Sequence, residues 1–121
     1  MINELIFQMI FDEYKKYLPT EWERLVTYFE YGEASYTFSF YVKENGVYTK
    51  CFDIPQVTEE ELLESFRIID GFLINEQKES GWTNFTMTVD SEGNMHSDFD
   101  YTDLSSGTYQ YHKNWKKKYL I

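Results

Sequence analysis

The chain reads as an α+β fold in a single domain spanning 1–121, a five-stranded, largely antiparallel sheet in the order α-β-β-β-α-β-β-α with helices packed mainly on one face. Three observations predict it. Apolar and polar residues alternate with a period of two across 22–53 and again across 82–101, the signature of half-buried strands. Two other stretches, 2–17 and 58–80, repeat apolar residues at helical spacing. Tight-turn sequences sit between the alternating runs, and such runs broken by helices fit antiparallel hairpins with helices laid across them.

Each element has a local reason. Residues 2–17 predict a helix with Asn3 as its cap and Ile6, Met9, Ile10, Glu13 and Tyr17 along it, closed by Pro19. A strand over 22–30 turns at Tyr31-Gly32-Glu33. The next strand, 35–42, puts Tyr36, Phe38, Phe40 and Val42 on one side and Ser35, Thr37, Ser39 and Tyr41 on the other. Asn45-Gly46 then predicts a two-residue hairpin, because both central positions of a type I′ turn need positive φ, and a third strand returns over 47–53. Thr58-Glu59-Glu60-Glu61 is a capping box that opens a long helix. Its stripe of Leu62, Phe66, Ile69 and Leu73 should lie across the sheet. After Gly81, strands at 82–89 and 95–101 flank the turn Asp90-Ser91-Glu92-Gly93-Asn94. A lysine-bearing helix over 106–118 closes the chain.

The last strand pair carries the most information about surface. One face would hold Phe85, Met87, Val89, Phe99 and Tyr101, the other Asn84, Thr86, Thr88, His96, Asp98 and Asp100. A sheet with one side in the core shows its other side to water or a partner, so the acidic side is expected outside. Charge agrees with that expectation. The chain has 21 acidic and 11 basic residues, a net charge of −10, and residues 58–105 hold twelve of the acids against only Arg67 and Lys78. Such a surface offers nucleic acid no basic footprint and an anionic membrane no attraction. It suits a basic protein surface. The acids Asp90, Glu92, Asp98, Asp100 and Asp103, with His96, Tyr101 and Trp82 beside them, are the expected partner-binding residues, since aromatic anchors ringed by charge are how tight interfaces are built.

Candidates for catalysis are few. His96, Asp98 and Asp100 share one strand face, and a small metal-dependent hydrolase built on them is the alternative reading. Side chains at those spacings point in parallel over about 13 Å, so they do not converge without help. His112 reads as a helix residue that packs or faces water. Cys51, the only cysteine, excludes an intrachain disulfide and reads as a small buried hydrophobe. No phosphate-binding loop or nucleophile elbow is present, and no cofactor is expected. Glu4 interrupts the apolar start, no basic region precedes it, and no apolar run has the length of a membrane span. A folded cytoplasmic protein is the expectation. A non-inhibitory acidic adaptor is a further possibility that shares the same surface.

The order of several motifs resembles the YezG-like (EsaG-like) immunity proteins. The matching segments are Glu21-Trp22-Glu23-Arg24-Leu25 after the first helix and its proline, Asp53-Ile54-Pro55 before the long helix, and Trp82-Thr83 opening the fourth strand. Phe99-Asp100-Tyr101-Thr102-Asp103-Leu104 and the closing run from Trp115 to Leu120 complete the set. They fall in register over nearly the whole chain, although 105–114 lacks the proline and arginine typical there. The resemblance implies an antitoxin, without catalytic residues, of a cognate toxin exported by type VII secretion. Such toxins include nucleases, whose basic cleft an acidic protein could fill.

Overall fold

A computed structural model describes residues 4–121, and the expected cap Asn3 lies outside them. Helix α1 spans Glu4–Tyr14 and tightens into a 3-10 turn, Lys15–Tyr17, before Pro19. Strands β1 (Arg24–Tyr31), β2 (Tyr36–Glu44) and β3 (Val47–Lys50) follow. The expected third strand is cut short because Cys51–Asp53 coils into a 3-10 turn that buries Cys51 completely. Helix α2 runs Glu59–Ser80, then β4 (Asn84–Asp90), β5 (Met95–Asp100) and α3 (Tyr109–Tyr119) complete the order α-β-β-β-α-β-β-α.

The sheet is antiparallel throughout, in the spatial order β3-β2-β1-β4-β5. Its turns have the backbone their residues favour. Asn45 and Gly46 take φ of 52° and 76°, as a type I′ turn demands. At the start of α2 the Thr58 hydroxyl accepts from the Glu61 amide at 3.1 Å. At its end Gly81 takes φ 76° and its N–H returns to the Gln77 carbonyl. A left-handed residue there favours glycine.

The periodicity places the core. Leu25, Phe29 and Tyr31 of β1, Phe38, Phe40 and Val42 of β2, and Phe85, Met87 and Val89 of β4 face α1 and α2. Ile10 and Tyr14 of α1 and Leu62, Phe66, Ile69 and Leu73 of α2 meet them there. Rings dominate this layer. Phe29 stacks on Phe85 with centroids 4.6 Å apart and meets Phe38 edge-on at 5.1 Å. Tyr17, Ser65 and Glu13 tie the end of α1 to α2 through 2.6 Å hydrogen bonds. The buried Tyr14 hydroxyl and Trp82 indole N–H have no hydrogen-bond partner among the described residues.

Two of the three helices lie on this face, but α3 lies on the other. There Val26, Tyr28 and Tyr41 of the sheet pack against Trp115 and Tyr119. The second face, expected to be open, is therefore covered. Asn84, Thr86 and Thr88 are buried beneath it. The physical reason is the stripe Tyr111, Trp115 and Tyr119, three rings at four-residue spacing on an otherwise polar helix, whose faces need cover and whose polar tips need partners.

Candidate interaction surface

Strand β5 is the outer strand on one side of the sheet. It leaves β4 through the turn 91–94, which the Asp90 carboxylate organises by accepting from the backbone N–H groups of Glu92 and Asn94 and from the Asn94 side chain, at 2.9–3.0 Å. These hydrogen bonds, that of the Asn94 side chain foremost, hold the Asp90 carboxyl below its ordinary range. The register pairs His96 with Thr88, Asp98 with Thr86 and Asp100 with Asn84, so the three side chains share the α3 face.

There the acids meet α3. Tyr119 donates to Asp98 at 2.6 Å. Tyr111 donates to Asp100, with Asn84 Oδ1 at 3.0 Å as a second acceptor. The tyrosine hydroxyl lowers the pKa of each carboxyl, Tyr119 for Asp98 and Tyr111 for Asp100, because it stabilises the charged form. Conversely, burial and then the bond to Asp100 push Tyr111 up to about 12. The same causes, with Asp98 as acceptor, raise Tyr119. Trp115 Nε1 donates to Thr86 at 2.8 Å. A ring nitrogen of His112 lies 2.8 Å from Glu30, and Arg24 donates to the Tyr119 carbonyl. Two acids expected to face a partner are thus anchors for the protein's own helix, with Lys118 near enough to Asp98 to lower its pKa further.

The other expected contact residues divide. Trp82 is sealed in the core at 1 % exposure, edge-on to Phe85 at 4.9 Å; it shapes the surface from beneath and cannot itself reach a partner. Glu92, on the turn, and Asp103, beyond β5, are exposed, and the Ser105 N–H binds the Asp103 carboxylate. Tyr101 is 61 % exposed, so it stands out from the apolar face it was expected to share. His96 is exposed and 3.0 Å from Asp98. Among the described residues no three His, Cys, Asp or Glu side chains are grouped to hold a metal ion.

Grooves flank β5 on both sides. On the α3 side one of about 370 Å³ is lined by Asp98, Asp100, Tyr111, Lys118 and Tyr119. On the α1 side one of about 450 Å³ runs between Phe7, Phe11, Trp22, Val89 and Met95, with Glu4 and Asp90 at its rim. A smaller one of about 270 Å³ lies among Phe7, Trp82, Ser97, Phe99 and Tyr101. Sequence reasoning missed Met95, Ser97 and the α1 residues here. The even alternation of β5 could have shown the first two; the approach of α1 is tertiary and left no local mark.

This geometry defines a class: an acidic antiparallel sheet domain whose outer strand β5 is flanked by grooves and uncovered by another strand among the described residues. The family model for YezG-like immunity proteins matches residues 2–120, and the chain belongs to that family. No curated protein matches it in sequence. No helix among the described residues is long and apolar enough to cross a membrane.

Proposed function

We propose that this protein is an antitoxin that binds and neutralises a cognate secreted toxin, a basic nuclease, inside the cell that makes both. Membership of an immunity-protein family implies a toxin partner. The observation that carries the finer reading is the β4–β5 edge. Asp90, Glu92, His96, Asp98, Asp100, Tyr101 and Asp103 ring it, and the chain has a net charge of −10. A nuclease cleft must be basic to hold phosphates, and an opposite field raises the rate at which the two proteins meet. Rapid capture suits a protein that has to stop a toxin before it acts. Inhibition is by occupation, with no reaction on the antitoxin's side.

The experiment is co-expression with the protein encoded beside it. Restored viability and a complex that survives purification are the expected result. Continued killing in the presence of folded antitoxin, or a neighbour that is harmless when expressed alone, would overturn the proposal.

A further inference from the structure

We infer that β5 is a docking edge that accepts an extended segment of the partner as a sixth strand, and that this segment alternates basic with apolar side chains. The inference rests on the reading of the protein as a binder of a basic partner.

The backbone supplies the first argument. Asp90 N–H bonds to the Asn94 carbonyl at 3.0 Å, while Ser91 and Tyr31 N–H groups bond to the Glu23 and Thr83 carbonyls across β1 and β4. Bonded pairs alternate along an antiparallel ladder. The even residues of β4 therefore bond to β5 through His96, Asp98 and Asp100. Ser97 and Phe99 turn their N–H and C=O groups outward, and among the described residues no strand lies beyond them. The opposite edge is less suitable. Strand β3 is four residues long, against six in β5, and Tyr48 and Lys43 on that side are tied to the Ile121 carbonyl.

The side chains supply the second. A strand laid along β5 sends alternate residues to the two sheet faces. On the α3 face they meet His96 and the partly exposed Asp98 and Asp100, which accept from Tyr119 and Tyr111 yet keep further acceptor sites, so that the local charge, offset in part by Lys118, favours lysine or arginine. On the α1 face they meet Met95, Ser97 and Phe99 beside the grooves that Phe7 lines, which favour apolar groups. A second copy of this chain is the wrong occupant, because antiparallel pairing of β5 with itself about Asp98 or Phe99 sets acid against acid, and no register brings a lysine or arginine of β5 to them. The same acids thus guard a free edge against self-association while admitting a basic strand.

The test uses the full chain and two synthetic eight-residue peptides, one alternating lysine with valine and one alternating glutamate with valine. At saturation the lysine peptide should slow amide exchange at Ser97 and Phe99 by about tenfold or more. The glutamate peptide should not. Ser97→Pro removes one outward N–H, a change tolerated on an edge strand; it should abolish the effect while β4 amides keep their protection, and Ser97→Ala should not. Unchanged exchange at Ser97 and Phe99, equal protection by both peptides, or protection centred on Val47–Lys50 would overturn the inference. Co-expression separates the two claims. If wild type and Ser97→Pro rescue equally and the peptide fails, the edge is not used although the antitoxin reading stands. If nothing is rescued yet the lysine peptide protects β5, the edge stands and the antitoxin reading falls.

Discussion

Replacing Thr86 by valine tests whether α3 closes the second face in solution. Thr86 is 3 % exposed and its hydroxyl accepts from Trp115 Nε1 at 2.8 Å. Valine keeps the shape, so no cavity opens, but the indole N–H is left buried without an acceptor and the hydroxyl's contact with Tyr119 goes too. A buried donor stranded in this way costs about 1–3 kcal/mol. Trp115 is 8 % exposed and boxed by Tyr28, Tyr41 and Tyr119 with centroids 5.1–5.8 Å away. Water has little access, which places the expected loss near the middle, about 2 kcal/mol. Urea unfolding followed by tryptophan fluorescence should show it as a lower midpoint with an unchanged slope. A cycle with Trp115→Phe isolates the bond: in that background the donor is gone and Thr86→Val should cost far less, a coupling of about 1–2 kcal/mol. A loss under about 0.5 kcal/mol, or the same loss in both backgrounds, would refute the docking of α3 described above.

Other outcomes follow from the same contacts. Tyr14→Phe should raise stability by about 1 kcal/mol, because the hydroxyl it deletes is buried without a partner among the described residues; thermal unfolding is the measurement, and a lower midpoint would contradict the packing. Thr58→Ala should cost about 1 kcal/mol through loss of the α2 cap, read by denaturant unfolding. Tyr111 and Tyr119 have raised pKa values, so their contribution to holding α3 is complete below the ordinary tyrosine range near pH 10. That contribution should fade as pH climbs toward about 12 for Tyr111. Asp98 and Asp100 are depressed, so their contribution is present above about pH 4 and should be lost as pH falls through their lower folded values, with Trp115 emission reporting both limits. Reversing the exposed Glu92 and Asp103 to lysine should slow capture of a basic toxin severalfold at low salt and flatten its salt dependence, with stability changed only by the lost Asp103 contact to the Ser105 N–H; stopped-flow association kinetics would show either result.

Elements with strong local causes were legible in the chain. Asn45-Gly46, the Thr58 cap and the alternation of β2 lie where their residues place them, because turn, cap and strand chemistry act over a few positions. The face of the last hairpin was read correctly in its alternation and wrongly in its exposure. Nothing near Asp98 or Asp100 announces that Tyr119 and Tyr111, at the far end of the sequence, will cover them. The signal existed in the spacing of Tyr111, Trp115 and Tyr119, but lysines 113 and 116–118 surround those rings and give the helix a polar look. Trp82, expected beside the surface acids, is instead sealed in the core, while Tyr101 protrudes, for a similar reason. Which aromatic sinks and which protrudes depends on where α1 arrives, and α1 is sixty or more positions away.

The two faces of the sheet are held by different means, and the difference sets how this molecule would be dismantled. Rings and aliphatic chains seal the side under α1 and α2, whereas hydroxyl and indole tips fasten much of α3. The corner leading into it, Ser105, Ser106 and Gly107, is exposed, with Gly107 at φ 135°, a shape open to proteolytic nicking. A single cut there would leave the closing helix held by those side-chain contacts alone, and its departure would bare Val26, Tyr28 and Tyr41 as an apolar strip.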